Sequence, residues 1–158
     1  MKALKIFLVL LLIGIIVIQF FPVGENIDES IESGADFAAQ YDVPASVQET
    51  LKASCYDCHS NNTVYLWYDK VQPVGWYIKS HVDDGKKELN FDEFASYSAK
   101  KQQHKLEEIA EVVEEGEMPL TSYTLTRPHA RLTGTQKEEF VNYFEKLARR
   151  EESKLKSK

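Results

Sequence analysis

The chain has two cysteines, and both fall in the run Cys55-Tyr56-Asp57-Cys58-His59. A Cys-x-x-Cys-His run sets two thiols one helical turn apart, where they can meet the two vinyl groups of a haem as thioethers. The adjacent imidazole then reaches the iron from the same side. Other chemistries compete for these residues. A structural zinc site wants four ligands, yet there is no second cysteine pair, and His81, His104 and His129 stand at no recognised spacing. A thioredoxin-like dithiol follows a strand and opens a helix, whereas this pair closes an expected helix. Chance is the third competitor. The expectation is one covalently attached haem, with Cys55 and Cys58 as the attachment sites and His59 as the proximal iron ligand.

An iron held by His59 has an opposite face to fill. Met118 is the only methionine besides Met1, and it stands in Gly116-Glu117-Met118-Pro119-Leu120. A lone methionine often just fills a gap in a core, but its place beside Pro119 and outside the expected helices favours ligation. His81, in Lys79-Ser80-His81-Val82-Asp83, is the alternative. His104 lies in a solvated polar stretch, and His129 follows Pro128 in a loop, so neither is expected on the iron. No constellation for substrate turnover is visible, and no catalytic residue is assigned.

The elements that must position these residues read as helices. Pro44 suits an early helical position, and Ser46 with Glu49 has capping-box spacing, predicting a short helix to about Ser54. Asn61 and Asn62 open a loop. Pro73 and Gly75 flank a segment whose Trp76, Tyr77, Ile78 and Val82 predict a second helix ending near Gly85. Asn90 with Glu93 is cap-like ahead of a long polar run to Glu115. Within that run Leu106, Ile109, Ala110 and Val113 fall on one helical face, and Gly116 is the stop. Residues 117–133 read as a loop stiffened by Pro119 and Pro128. Thr133 with Gln136, or Thr135 with Glu138, caps a last helix carrying Phe140, Tyr143, Phe144 and Leu147. No alternating stretch asks to be a strand, so the domain is expected to be all-α.

The first 21 residues carry only Lys2 and Lys5 as charges, and Ile6–Ile18 has no polar side chain. This reads as an export signal or an anchor. The run closes on Gln19-Phe20-Phe21-Pro22 with no convincing Ala-x-Ala site, so an uncleaved transmembrane helix over 1–21 is expected, with the rest of the chain on the extracytoplasmic side. Covalent haem attachment suits that side of the membrane. Residues 22–40 read as a spacer, 41–148 as the domain and 149–158 as a basic tail. The 158-residue chain has a net charge of −6, with −11 in residues 22–148 and +3 in the tail. An acidic body lacks the concentrated basic face that nucleic acid needs, and suits basic protein partners instead.

Several stretches taken in order resemble the bacterial haem-binding domain family of small exported c-type cytochromes, with an ending similar to class I cytochromes c. They are Cys55 to Asn61, Trp67-Tyr68, Gln72-Pro73-Val74-Gly75-Trp76, His81 to Phe91, and Met118-Pro119-Leu120 with Tyr123. The resemblance implies a cytochrome c-like helical fold around one haem c, with Cys55 and Cys58 as thioether sites, His59 proximal and Met118 distal. It also implies that Pro73, Trp76 and Tyr123 belong to the haem pocket, with the Pro73 carbonyl taking the far nitrogen of His59. The function it implies is single-electron transfer between partner proteins by a membrane-anchored carrier. A haem sensor or peroxidase-like protein with a displaceable distal ligand is the alternative, and a structural or haem-handling module is the third reading.

Overall fold

The computed structural model describes residues 1–157. Its elements in chain order are α1 (Lys2–Ile18), α2 (Ala35–Gln40), α3 (Ala45–Ser54), α4 (Tyr56–His59), α5 (Val74–Glu88), α6 (Ala99–Glu115), α7 (Thr121–Thr126) and α8 (Gly134–Lys156). Short 3-10 turns lie at Trp67–Lys70, Phe94–Ser96 and Pro128–Ala130, and the described residues contain no strand. The all-α expectation holds.

The apolar faces on α6 and α8 organise the core. Leu106, Ile109, Ala110 and Val113 on α6 are buried, as are Phe140, Val141, Phe144, Leu147 and Ala148 on α8, and the two helices pack along one another. Helix α6 stops where expected, with Gly116 at φ 79° in the left-handed region. Helix α8 starts with the Thr133–Gln136 capping box. Other caps differ from expectation. Helix α3 has no side-chain cap, because its N-cap position is held by Pro44, while Ser46 lies inside the helix and its hydroxyl donates to the Glu139 carboxylate of α8. Helix α6 is capped by Ser98, while Asn90 instead stabilises its own turn by accepting from the Asp92 N–H at 3.0 Å.

The expected spacer is part of the packed domain. Phe37 on α2 is fully buried, with its ring centroid 5.2 Å from Phe91, 5.1 Å from Phe94 and 5.8 Å from Phe144. A buried phenyl ring contributes about 1.5–3 kcal/mol, so a single aromatic residue recruits a segment whose composition is otherwise polar. Asn26 adds bonds to the Ser60 carbonyl, the Thr63 hydroxyl and Tyr65. The expected basic tail is not separate either, since α8 continues through it and pairs Arg149 with Glu145 and Lys156 with Glu152.

The expected transmembrane anchor is corrected. Helix α1 has 17 residues, about 26 Å at the usual rise, against roughly 30 Å of hydrocarbon. Among the described residues no helix is long and apolar enough to cross a membrane. The apolar count misled because Phe20 and Phe21 follow the helix rather than extend it. The Gln19 side chain donates to the Gln72 carbonyl at 3.0 Å and accepts from the Gln72 N–H at 2.9 Å, while Trp76 Nε1 donates to the Phe21 carbonyl at 2.9 Å. The assignment to the cytoplasmic membrane, with the domain on its extracytoplasmic side, falls with the anchor.

Candidate functional site

The Cys-x-x-Cys-His run is a single helical turn. Cys55 closes α3 by donating to the Leu51 carbonyl, then accepts from the Cys58 and His59 N–H groups at 3.2 and 3.0 Å. Positions i, i+3 and i+4 share a face, so Cys55, Cys58 and His59 turn toward the clefts beside this turn while the residues between them turn inward. Tyr56 packs on Phe91 with centroids 5.4 Å apart, and Asp57 enters a polar cluster. Gly85 of α5 permits the close approach behind this turn, since a Cβ there would lie 2.8 Å from the Cys58 carbonyl oxygen.

His59 is held at two points. Its Nδ1 donates to the Leu89 carbonyl at 3.1 Å, and its own carbonyl accepts from the Phe91 N–H at 2.8 Å. An Nδ1 bound to a carbonyl must carry the proton, which leaves the Nε2 lone pair available to a metal. Burial pushes the imidazole below its ordinary value, outweighing the opposing bond to Leu89. The ring is therefore held neutral, as a ligand must be.

The Asp57 carboxylate lies between the two cysteines in sequence and is fully engaged. It accepts from the Val64 N–H at 3.0 Å and the Tyr123 hydroxyl at 2.8 Å, and it lies 3.4 Å from Arg127 Nε. Arg127 is buried, pairs through Nη2 with the equally buried Asp69, and sits over the Tyr123 ring at 4.9 Å. Burial, followed by the Asp57 charge, pushes the Tyr123 phenol far above its ordinary value, so it remains a donor.

Two clefts of about 170 and 210 Å³ open beside this turn, and Ser54, His59, Glu88 and Met118 line both. Cys55 borders the first, whose walls are Leu89, Phe91, Ile109, Val112, Val113 and Phe140. Cys58 borders the second, with His81, Gly85, Leu120 and Tyr123. Met118 is placed by the end of α6, where its N–H and that of Glu117 both donate to the Val112 carbonyl at 3.1 and 2.9 Å.

Of the residues singled out from sequence, Cys55, Cys58, His59, Met118, His81 and Tyr123 come together here. Pro73 and Trp76 line neither cleft. The Pro73 carbonyl accepts from Tyr77 inside α5, and the expected partnership with His59 belongs to Leu89 instead. Helix α5 runs on to Glu88, and that extension brings Leu89 under the imidazole. Exposed His104 and His129 stand away from both clefts. Sequence reasoning missed Leu89, Gly85, Asp69, Arg127 and Lys105. Only Asp57 offered a signal, since a carboxylate on the inward side of a helical turn must find a cation.

The competing chemistries lack support in this geometry. Burial pushes the Cys55 thiol up to about 12 and the Cys58 thiol up to about 11, opposite to the lowered thiol of a redox dithiol. Among the described residues no group of three or more His, Cys, Asp and Glu side chains gathers as a metal site. The donor set does fit haem: two thiols at one edge, a neutral imidazole with a free Nε2, a thioether lining the same two clefts, and apolar walls. Fold and site together define a helical protein built around such a group. The chain belongs to the haem-binding domain family, which it matches over residues 13–146, and it binds haem. That match covers the whole of the segment expected as a spacer, 22–40. No curated protein and no solved structure matches the chain.

Proposed function

We propose that the chain is a monohaem c-type cytochrome that carries single electrons between protein partners, and not a catalyst. The observation that carries this reading is the pairing of His59 and Met118 on the same two clefts, with Cys55 and Cys58 bordering one each. The thiols would hold the haem as thioethers, His59 Nε2 would take one side of the iron and Met118 Sδ the other. When bound, the haem supplies an Fe(II)/Fe(III) couple, and His/Met ligation raises its potential. The Leu89 carbonyl fixes the imidazole orientation, and the apolar walls from Leu89 to Phe140 keep water off the site. Exposed Glu107, Glu111, Glu114 and Glu115 on α6 suit a basic partner, predicting exchange rates that fall as salt rises.

Acid-acetone extraction tests the attachment. The colour should stay on the wild-type polypeptide and leave Cys55→Ser/Cys58→Ser; extractable haem from the wild type would end the c-type reading. The weak red-end absorption band of an Fe(III)–thioether bond should be present in the wild type and absent in Met118→Ala.

A second reading has its own observation. His81 lines the second cleft beside Met118, with Nδ1 bound to the Tyr77 carbonyl at 2.8 Å, so its Nε2 stands ready to compete for the iron. Carbon monoxide binding to the reduced wild type would favour this displaceable-ligand sensor or peroxidase-like protein over the carrier.

A further inference from the structure

We propose that Lys105 is the positioning residue for the carboxylate edge of the haem, exchanging its looser partner Glu88 for a propionate. This rests on the haem reading above. Lys105 stands on α6 one residue before fully buried Leu106, and its side chain is only 12% exposed. A lysine beside an apolar cavity ordinarily extends its amine to water. Here the amine stays at the cleft and carboxylates come to it: Nζ lies 2.7 Å from Glu108 Oε2 and 3.5 Å from Glu88 Oε2, and all three residues line the first cleft. Burial works against the charge, but the bond to Glu108 and the nearby carboxylates outweigh it and hold the amine above its ordinary value.

Among the described residues Lys105 is the only lysine or arginine that lines either of the two clefts. The carboxylates lining them are repulsive to a dianionic edge, so any cationic partner for a propionate comes from Lys105. The other buried cation, Arg127, is committed to Asp57 and Asp69, and Asp57 lies between the two cysteines, so Arg127 stands behind the vinyl edge. Lys105 and Glu88 instead line the first cleft together with His59. Vinyl and propionate groups leave opposite edges of the macrocycle, so a haem attached at Cys55 and Cys58 turns its carboxylates away from Arg127. Glu88, with its side chain 76% exposed, can swing into water and free the amine, while Glu108 stays.

The test uses the full-length apo-protein titrated with iron mesoporphyrin, which has no vinyl groups and binds reversibly, and with its dimethyl ester. A charge-assisted hydrogen bond corresponds to a preference of about tenfold or more. The wild type should bind the free acid about tenfold more tightly than the ester. Lys105→Met should lose that preference with its ester affinity unchanged, and Lys105→Arg should keep it. Glu88→Gln, which removes the competing carboxylate, should raise the preference and gives a second arm if Lys105→Met does not fold. A preference that survives Lys105→Met, equal weakening toward acid and ester, or no gain in Glu88→Gln overturns the proposal while leaving haem binding intact. Failure of the wild type to bind either porphyrin overturns the haem reading as well.

Discussion

The Cys-x-x-Cys-His turn and the Met118 loop face the same clefts but are built in opposite ways. Behind Cys55, Cys58 and His59 stands a polar scaffold: Asp57 holds Tyr123, Arg127 and the Val64 N–H, Arg127 holds buried Asp69, and Leu89 holds the imidazole. Behind Met118 there is only the end of a helix, with two N–H groups on the Val112 carbonyl and apolar contact with the core. The proximal side is cross-braced by ionic bonds in a dry interior. The Met118 side is a loop that leaves α6 at Gly116. The difference teaches that the geometry of the Cys-x-x-Cys-His turn is fixed by its own polar scaffold, whereas Met118 has room to adjust, as the proposed distal role would require.

The most damaging way to break this contrast is Arg127→Met, which strands Asp57 and Asp69 without their cation. Removing one partner of a buried pair costs about 3–5 kcal/mol, and urea denaturation of the apo-protein should show it. Removing Asp69 together with Arg127 should recover part of the loss. An Arg127→Met cost below about 1 kcal/mol, the range of exposed pairs, would mean the proximal brace is not one.

Gly85→Ala should do less, and by another route. Alanine gains about 1 kcal/mol of helix propensity over glycine. The added Cβ, however, meets the Cys58 carbonyl oxygen at 2.8 Å, and a backbone atom cannot rotate away. Overpacking costs about 1–3 kcal/mol, so net destabilisation and a lower yield of attached haem are expected; a variant more stable than wild type would show that α4 and α5 have room to part.

On the distal side, a Cβ at Gly116 would meet nothing within 4 Å, so Gly116→Ala carries only the strain of its positive φ, about 1–2 kcal/mol. Beyond that loss its signature should be spectroscopic, with a weakened Fe(III)–thioether band and attachment at Cys55 and Cys58 untouched. Equal loss of both signals would show that the two sides are not independent.

The smallest effect concerns acid. In the unfolded chain His59 titrates near 6.5, and burial lowers it in the fold. The unfolded chain therefore binds more protons below pH 6.5, so the stability contributed by neutral His59 is complete above that pH and lost as pH falls toward the lower folded value. The urea midpoint of the apo-protein should fall over this range more steeply than that of His59→Gln. Parallel profiles would place the imidazole in water.

What could be read in the sequence was what short-range spacing controls. Cys55, Cys58 and His59 share a face because one helical turn requires it. Gly116 ends α6 because a left-handed residue was needed there, and the α6 and α8 faces follow from helical periodicity. Such features depend on a few neighbouring residues, so local chemistry reveals them. The partner of His59 is not Pro73 but Leu89, which lies 30 positions away, and a backbone carbonyl acceptor leaves no trace in residue identity. Residues 22–40 looked like a spacer because one buried ring, Phe37, outweighs many polar neighbours without creating a period. The mainly apolar stretch over residues 1–21 looked like a span because its composition did not reveal that Gln19 turns back to Gln72. Tertiary packing alone decided these contacts, together with the convergence of Asp57, Asp69 and Arg127, since each joins side chains or carbonyls distant in the chain and is stable only once the surrounding core has excluded water.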